Sequence, residues 1–75
     1  FNATTEIKYI LAQDTHVKLE IFNLAGQVVE TLIDDIKSTG EHTVNWDASD
    51  MPSGIYLYKL TTKDYSVTKR MTLLK

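Results

Sequence analysis

Residues 4–11, TTEIKYIL, alternate between apolar and polar positions. Thr5, Ile7, Tyr9 and Leu11 fall on one side, and Glu6, Lys8 and Ile10 on the other. A period of two predicts a half-buried strand. Residues 16–22, HVKLEIF, repeat it, with Val17, Leu19 and Ile21 inward and Lys18 and Glu20 outward. AQDT, residues 12–15, is the polar turn between them. In NLAGQ, residues 23–27, Asn23 and Gly26 suit the first and fourth positions of a type I turn, with Gly26 free to take positive φ. VVETLI, residues 28–33, continues as a strand because its β-branched residues fit a pleated surface. The upstream glycine makes it half of a hairpin. A short helix over residues 28–36 is the alternative, since Val28, Val29, Leu32 and Ile36 also share a helical face.

DDIKSTGE, residues 34–41, reads as a polar loop. HTVNW, residues 42–46, alternates again, with His42, Val44 and Trp46 against Thr43 and Asn45. DASDMPSG, residues 47–54, holds the only proline and a glycine. IYLYKLTT, residues 55–62, is a strand whose uninterrupted face is Tyr56, Tyr58 and Leu60, which places those residues inward. KDYS, residues 63–66, turns. VTKRMTLL, residues 67–74, is the final strand, with Lys69 interrupting a face of Val67, Met71 and Leu73. Turn signals recur every ~8–12 residues, a spacing typical of sandwiches and barrels. No helical segment is long enough for a parallel crossover. The expected fold is an all-β, immunoglobulin-like antiparallel sandwich of about seven short strands, forming a single domain over residues 1–75.

The length limits the chemistry. A domain of 75 residues buries only roughly 60–65 % of its unfolded surface, so its core is thin and leaves no room for a large buried active site. There is no cysteine, which excludes disulfides and thiolate metal sites. A net charge of −2, with scattered basic residues, argues against nucleic acid as a partner. No apolar run approaches the ~18 residues of a membrane span. The chain starts at Phe1 without an initiator methionine or a signal peptide. It therefore reads as a fragment or processed piece of a longer protein.

Tyr56 and Tyr58 are core residues by their alternation, since tyrosine buries a large apolar body and needs a partner only at its hydroxyl. The competing reading is a sugar-stacking strip with Trp46. His16 and His42 lack the close spacing of metal ligands; His16 reads as a solvated turn residue and His42 as a strand-edge residue. Asp47 and Asp50 invite a calcium reading, while Asp34–Asp35 stands apart, but aspartates in turns also bond nearby backbone amides. No nucleophile motif and no phosphate loop is present, so the chain is read as non-enzymatic and without a cofactor or metal. Asn2-Ala3-Thr4 matches a glycosylation sequon, a short pattern that needs a eukaryotic secretory setting. The basic–apolar ending TKRMTLLK fits either a charge-protected edge strand or a recognition tail.

The segments FNATTEIKYIL, VKLEIFNLAGQVVETL, GEHTVNWDASDMPSGIYLYKL and TKRMTLLK, in that order, resemble the type A C-terminal sorting domain of the type IX secretion system. The resemblance spans nearly the whole chain. Its most specific parts are the Asn-Leu-Ala-Gly-Gln turn, the strand from Gly40 to Trp46 with Asp47, the Ser-Gly-Ile-Tyr strand start and the basic–apolar end. It implies a bacterium of the Bacteroidota or a relative, and an immunoglobulin-like domain at the C-terminal end of a secreted cargo. It also implies passage through the periplasm and outer membrane to the surface or the outside. The partners implied are the translocon or shuttle components and a sortase-like surface protease that removes the domain. By position, the family's glycine-x-tyrosine motif falls on Gly54 and Tyr56. Its closing basic motif falls on Lys69, Met71 and Lys75, and its central turn glycine on Gly26. Arg70 adds charge beside Lys69. Ala3 stands where the family often has proline. The same pattern is similar to the immunoglobulin-like domain of the flagellar hook-capping protein, an assembly factor. A carbohydrate-binding module is the remaining alternative and needs an exposed aromatic strip.

Overall fold

The computed structural model describes residues 3–74. Six strands form, in the order β1 (Thr4–Leu11), β2 (Thr15–Asn23), β3 (Val28–Lys37), β4 (Gly40–Asp47), β5 (Gly54–Thr61) and β6 (Ser66–Leu73). They make two antiparallel layers. β1 pairs with β4 in a two-stranded sheet, and the other four run in the order β3-β2-β5-β6. The fold is the expected all-β sandwich, with six strands among the described residues. No helix among those residues is long and apolar enough to cross a membrane.

The expected strand interiors match, but one expected loop does not. Residues 34–37 extend β3 rather than opening a loop, and Gly40 and Glu41 already belong to β4. Asp34 lies opposite Lys18, and Thr15 opposite Lys37. β3 is the edge of its sheet, so its charged side chains stay in water while the main chain pairs with β2. The helical alternative for residues 28–36 loses for the same reason. Hydrogen bonding to β2 satisfies the backbone, and register shifts at Leu19/Glu20 and Ile21/Phe22 absorb the irregular apolar spacing.

The core lies between the layers. Ile7, Tyr9 and Leu11 from β1 meet Val17, Leu19 and Ile21 from β2, with Trp46, Ala48, Tyr56, Leu60 and Leu73. From Ile7 to Leu11 in β1 and from Val17 to Ile21 in β2 every second position is buried, as the alternation predicts. Trp46, Leu19, Ile21, Leu73 and Val17 are the largest fully buried side chains.

Aspartate chemistry shapes the crossings between the sheets. Asp14 Oδ1 accepts hydrogen bonds from the Thr39 backbone N–H at 2.7 Å and from the Thr39 hydroxyl at 2.9 Å. These bonds join the β1–β2 and β3–β4 connections. Asp47 Oδ1 accepts from the Ser49 N–H at 3.0 Å, as a turn aspartate should. The bonds from Thr39 hold the Asp14 carboxyl below its ordinary range, and those from Ser49 do the same for Asp47. A carboxylate whose pKa is lower in the folded state stabilises the fold above its unfolded pKa and loses that contribution as pH falls through the folded value. The denaturation midpoint, followed by circular dichroism, is therefore expected to fall as pH drops below about 4. A variant carrying Asp14→Asn and Asp47→Asn should decline less steeply over the same range.

Candidate functional site

The Asn23 turn, the Gly54–Tyr56 strand start and the basic ending lie far apart in the chain, and the fold brings them to one end of the four-stranded sheet. Asn23 pairs with Tyr56 across β2 and β5, and Tyr56 pairs with Met71 across β5 and β6. The turn, the glycine-x-tyrosine start and the basic ending thus share one row. Trp46 meets this row from the opposite layer, edge-on to Tyr56 with ring centroids 5.4 Å apart.

Each part has a local cause. The β2–β3 turn closes through the Gly26 N–H to Asn23 O, at 3.0 Å, and the Asn23 N–H to Gln27 O, also at 3.0 Å. Asn23 Oδ1 accepts from the N–H groups of Ala25 and Gln27. Gly26 has φ +84°, a conformation costly for residues with a Cβ. Gly54 opens β5 at φ +155° and pairs with Leu73. A Cβ at Gly54 would meet no atom within 4 Å, so backbone conformation rather than crowding calls for glycine there.

Tyr56 is buried, and its hydroxyl donates to Pro52 O at 2.7 Å. A tyrosine bonded back to the backbone a few residues upstream is the tyrosine corner of immunoglobulin-like sandwiches. The sequence reading missed this role for the Pro52–Tyr56 pair. Its signal was a proline four residues before a tyrosine that starts a strand. Glu30 was also missed as a structural residue: its Oε2 accepts from Trp46 Nε1 at 2.9 Å, across the two layers.

Lys69 and Arg70 lie outside the packed cluster. They are exposed on β6, Lys69 opposite Tyr58 and Arg70 opposite Leu57. Lys69 therefore projects on the core side of the sheet and Arg70 on the outer side. Met71 is half-buried against the core. β6 pairs with β5 along eight residues without a register shift and leaves its other edge open. Lys75 and Asn2 lie outside the described residues.

The histidines occupy separate places. His16 is an exposed β2 residue rather than a turn residue, with Nε2 2.7 Å from Asp34 Oδ1. His42 stands on β4, an edge strand, stacks on Tyr9 at 5.1 Å, and bonds Ser38 O through Nε2. Burial of Tyr9 pushes its phenol up from the ordinary value. Trp46 is 1 % exposed, which removes it from any sugar-stacking strip.

The model of the secretion system C-terminal sorting domain matches residues 2–73. The chain belongs to that family. The match takes in all six strands and the whole Asn23–Tyr56–Met71 row. The family is that of C-terminal sorting signals for type IX secretion, a sorting family rather than a catalytic one. Membership implies export to the cell surface or the extracellular space, and recognition by the type IX machinery. No curated protein and no solved structure matches the chain.

Proposed function

We propose that this sorting domain is a non-catalytic address label that its own last strand makes readable. It stands at the C-terminal end of a longer secreted protein. It directs that cargo across the outer membrane, and a sortase-like surface protease then removes it. Translocon or shuttle components read the open edge of β6 by strand addition, helped by charge. Lys69, Arg70 and Lys75 supply the charge. Gly54, Tyr56 and Met71 hold the strand in place, and Gly26 closes the turn at the same end.

The observation that carries this reading is the division within the shared motifs. Tyr56 and its neighbours in the row are packed, whereas Lys69 and Arg70 project into water from a regular edge strand. A buried residue cannot be read by a partner without unfolding, so recognition falls to the exposed pair.

The test is a periplasm-targeted reporter fused to this domain in a host with a working type IX system. Deleting residues 69–75 would also remove Leu73, which is fully buried, and would confuse misfolding with lost recognition. Lys69→Glu with Arg70→Glu avoids this, because both side chains are exposed. The double variant is expected to fold and to leave most of the reporter in the periplasm. Unchanged export of a folded double variant would remove the basic strand from the recognition surface.

A further inference from the structure

The two layers do not match in width. A sheet of two strands covers a sheet of four, so part of the wider layer's inner face lies beyond the narrower one. The long-range contacts fix the offset. Trp46 of β4 reaches Glu30 of β3. Tyr65, in the β5–β6 turn, donates its hydroxyl to Ile10 O of β1 at 3.4 Å, and Gln13 bonds Asp64. β4 therefore lies toward β3, and the free edge of β1 faces β6.

The two margins of the wide sheet differ. On the β3 side, Val29, Leu32 and Ile33 pack against the core, and two register shifts break the edge. On the β6 side, burial fades along the inward row. Leu73 is fully buried, Met71 and Tyr58 are half-buried, Lys69 is exposed and Val67 is 36 % exposed. Beside this strip runs β1, whose eight residues pair in register with β4 and, among the described residues, with no other strand. The result is a slot beside β1, walled by a main-chain edge that no other strand pairs and that Tyr65 meets at Ile10 O, with a mainly apolar floor.

The floor carries one charge. Lys69 lies between Val67 and Met71 in the inward row, and it forms no ion pair among the described residues. A strand added to β1 would direct alternate side chains onto this floor, since facing sheets pack about 10 Å apart. The floor then asks for an apolar residue over Met71, an acidic one over Lys69 and an apolar one over Val67. We infer that this slot takes an extended segment of a partner polypeptide with the pattern apolar–x–Asp/Glu–x–apolar, added to β1 as the third strand of the narrow sheet. This goes beyond recognition at the β6 edge. It rests on the sorting reading only in taking the segment's owner to be part of the export machinery.

The probe is the synthetic peptide Thr-Val-Thr-Glu-Thr-Val-Thr, compared with the same peptide bearing lysine at its centre. Both are titrated into the purified chain and followed by NMR and amide hydrogen exchange. The acidic peptide is expected to bind at least about tenfold more tightly, because a like charge facing Lys69 is repelled. Amides of β1 should gain protection. Lys69→Glu should reverse the preference, and Lys69→Gln should abolish it. Failure of the acidic peptide to bind, equal affinity for both peptides, or protection gained at β3, β4 or β6 instead of β1 would overturn the inference. So would β1 protection that rises with protein concentration alone, which would make a second copy of the chain the occupant. Because binding is read on the purified chain, it can fail while export survives, and export can fail while binding survives.

Discussion

Trp46→Ala is expected to leave the domain largely unfolded under conditions where the parent is folded. Removing a large aromatic from a core costs ~3–5 kcal/mol through lost transfer energy and the cavity left behind. Trp46 is 1 % exposed, so it has nearly all of that to lose. Two further interactions disappear with the ring. One is the Nε1–H bond to Glu30, at 2.9 Å; the other is the edge contact with Tyr56. The latter kind of contact is worth about 0.5–1.5 kcal/mol beyond area burial. At ~0.05–0.15 kcal/mol per residue, a domain of this length is stable by only about 4–11 kcal/mol. The substitution therefore consumes much or all of the total. Denaturant unfolding followed by circular dichroism measures it, since the variant lacks the chain's single tryptophan. A loss under about 1 kcal/mol would show that the two layers do not depend on this side chain. Trp46→Phe and Glu30→Gln should each cost far less, because the first keeps most of the apolar body and the second keeps an acceptor for Nε1–H.

The same substitution separates folding from recognition in export. Trp46→Ala should block export by removing the structure that presents β6. The Lys69→Glu and Arg70→Glu pair should block it with the fold intact. Two variants with one secretion outcome and opposite spectra would put the packed row and the basic strand in different roles.

The strands were legible in the sequence because each carries its burial in a period of two. Ile7, Tyr9 and Leu11 alternate with polar residues, and the structure buries all three. The inward turn of Tyr56 could be read from the unbroken face it shares with Tyr58 and Leu60. Residues 34–37 were opaque for a physical reason. An edge strand needs only main-chain partners, so Asp34 and Asp35 can sit in a strand that composition would assign to a loop. Pairing across the sandwich was also hidden. Nothing local to TTEIKYIL or GEHTVNWD says that β1 joins β4 rather than the adjacent β2, because that choice rests on packing between distant faces. For the candidate site, the family motifs marked the right residues but not their division of labour. Lys69 and Met71 stand two positions apart on the same face, yet one is exposed and the other half-buried. The difference follows from a two-stranded layer covering a four-stranded one, a property of two sheets together.

Tyr56→Ala should destabilise the domain by ~3–5 kcal/mol, and Tyr56→Phe by about 1 kcal/mol. The alanine variant loses the ring from a site that is 4 % exposed, together with its contact to Trp46. The phenylalanine variant loses only the bond from the hydroxyl to Pro52 O. Pro52 is exposed, so water can replace that donor, which keeps the cost near that of one ordinary hydrogen bond. Equilibrium unfolding of both variants checks the order. A double-mutant cycle with Trp46→Leu and Tyr56→Leu, each of which removes one ring and keeps an apolar side chain, tests whether the two rings act as a unit. Contacting residues commonly couple by about 0.5–3 kcal/mol, and these rings meet edge to face. The corner makes a second, kinetic demand. The Pro52–Tyr56 bond closes the connection that carries the chain from β4 to β5, between the two sheets, so its loss should raise the unfolding rate if it forms after the folding transition state. Export follows from stability in this account. Tyr56→Phe should still be exported, and Tyr56→Ala should fail in proportion to its unfolded fraction. A stably folded Tyr56→Ala protein that is not exported would overturn that order and make the tyrosine part of the surface the machinery reads.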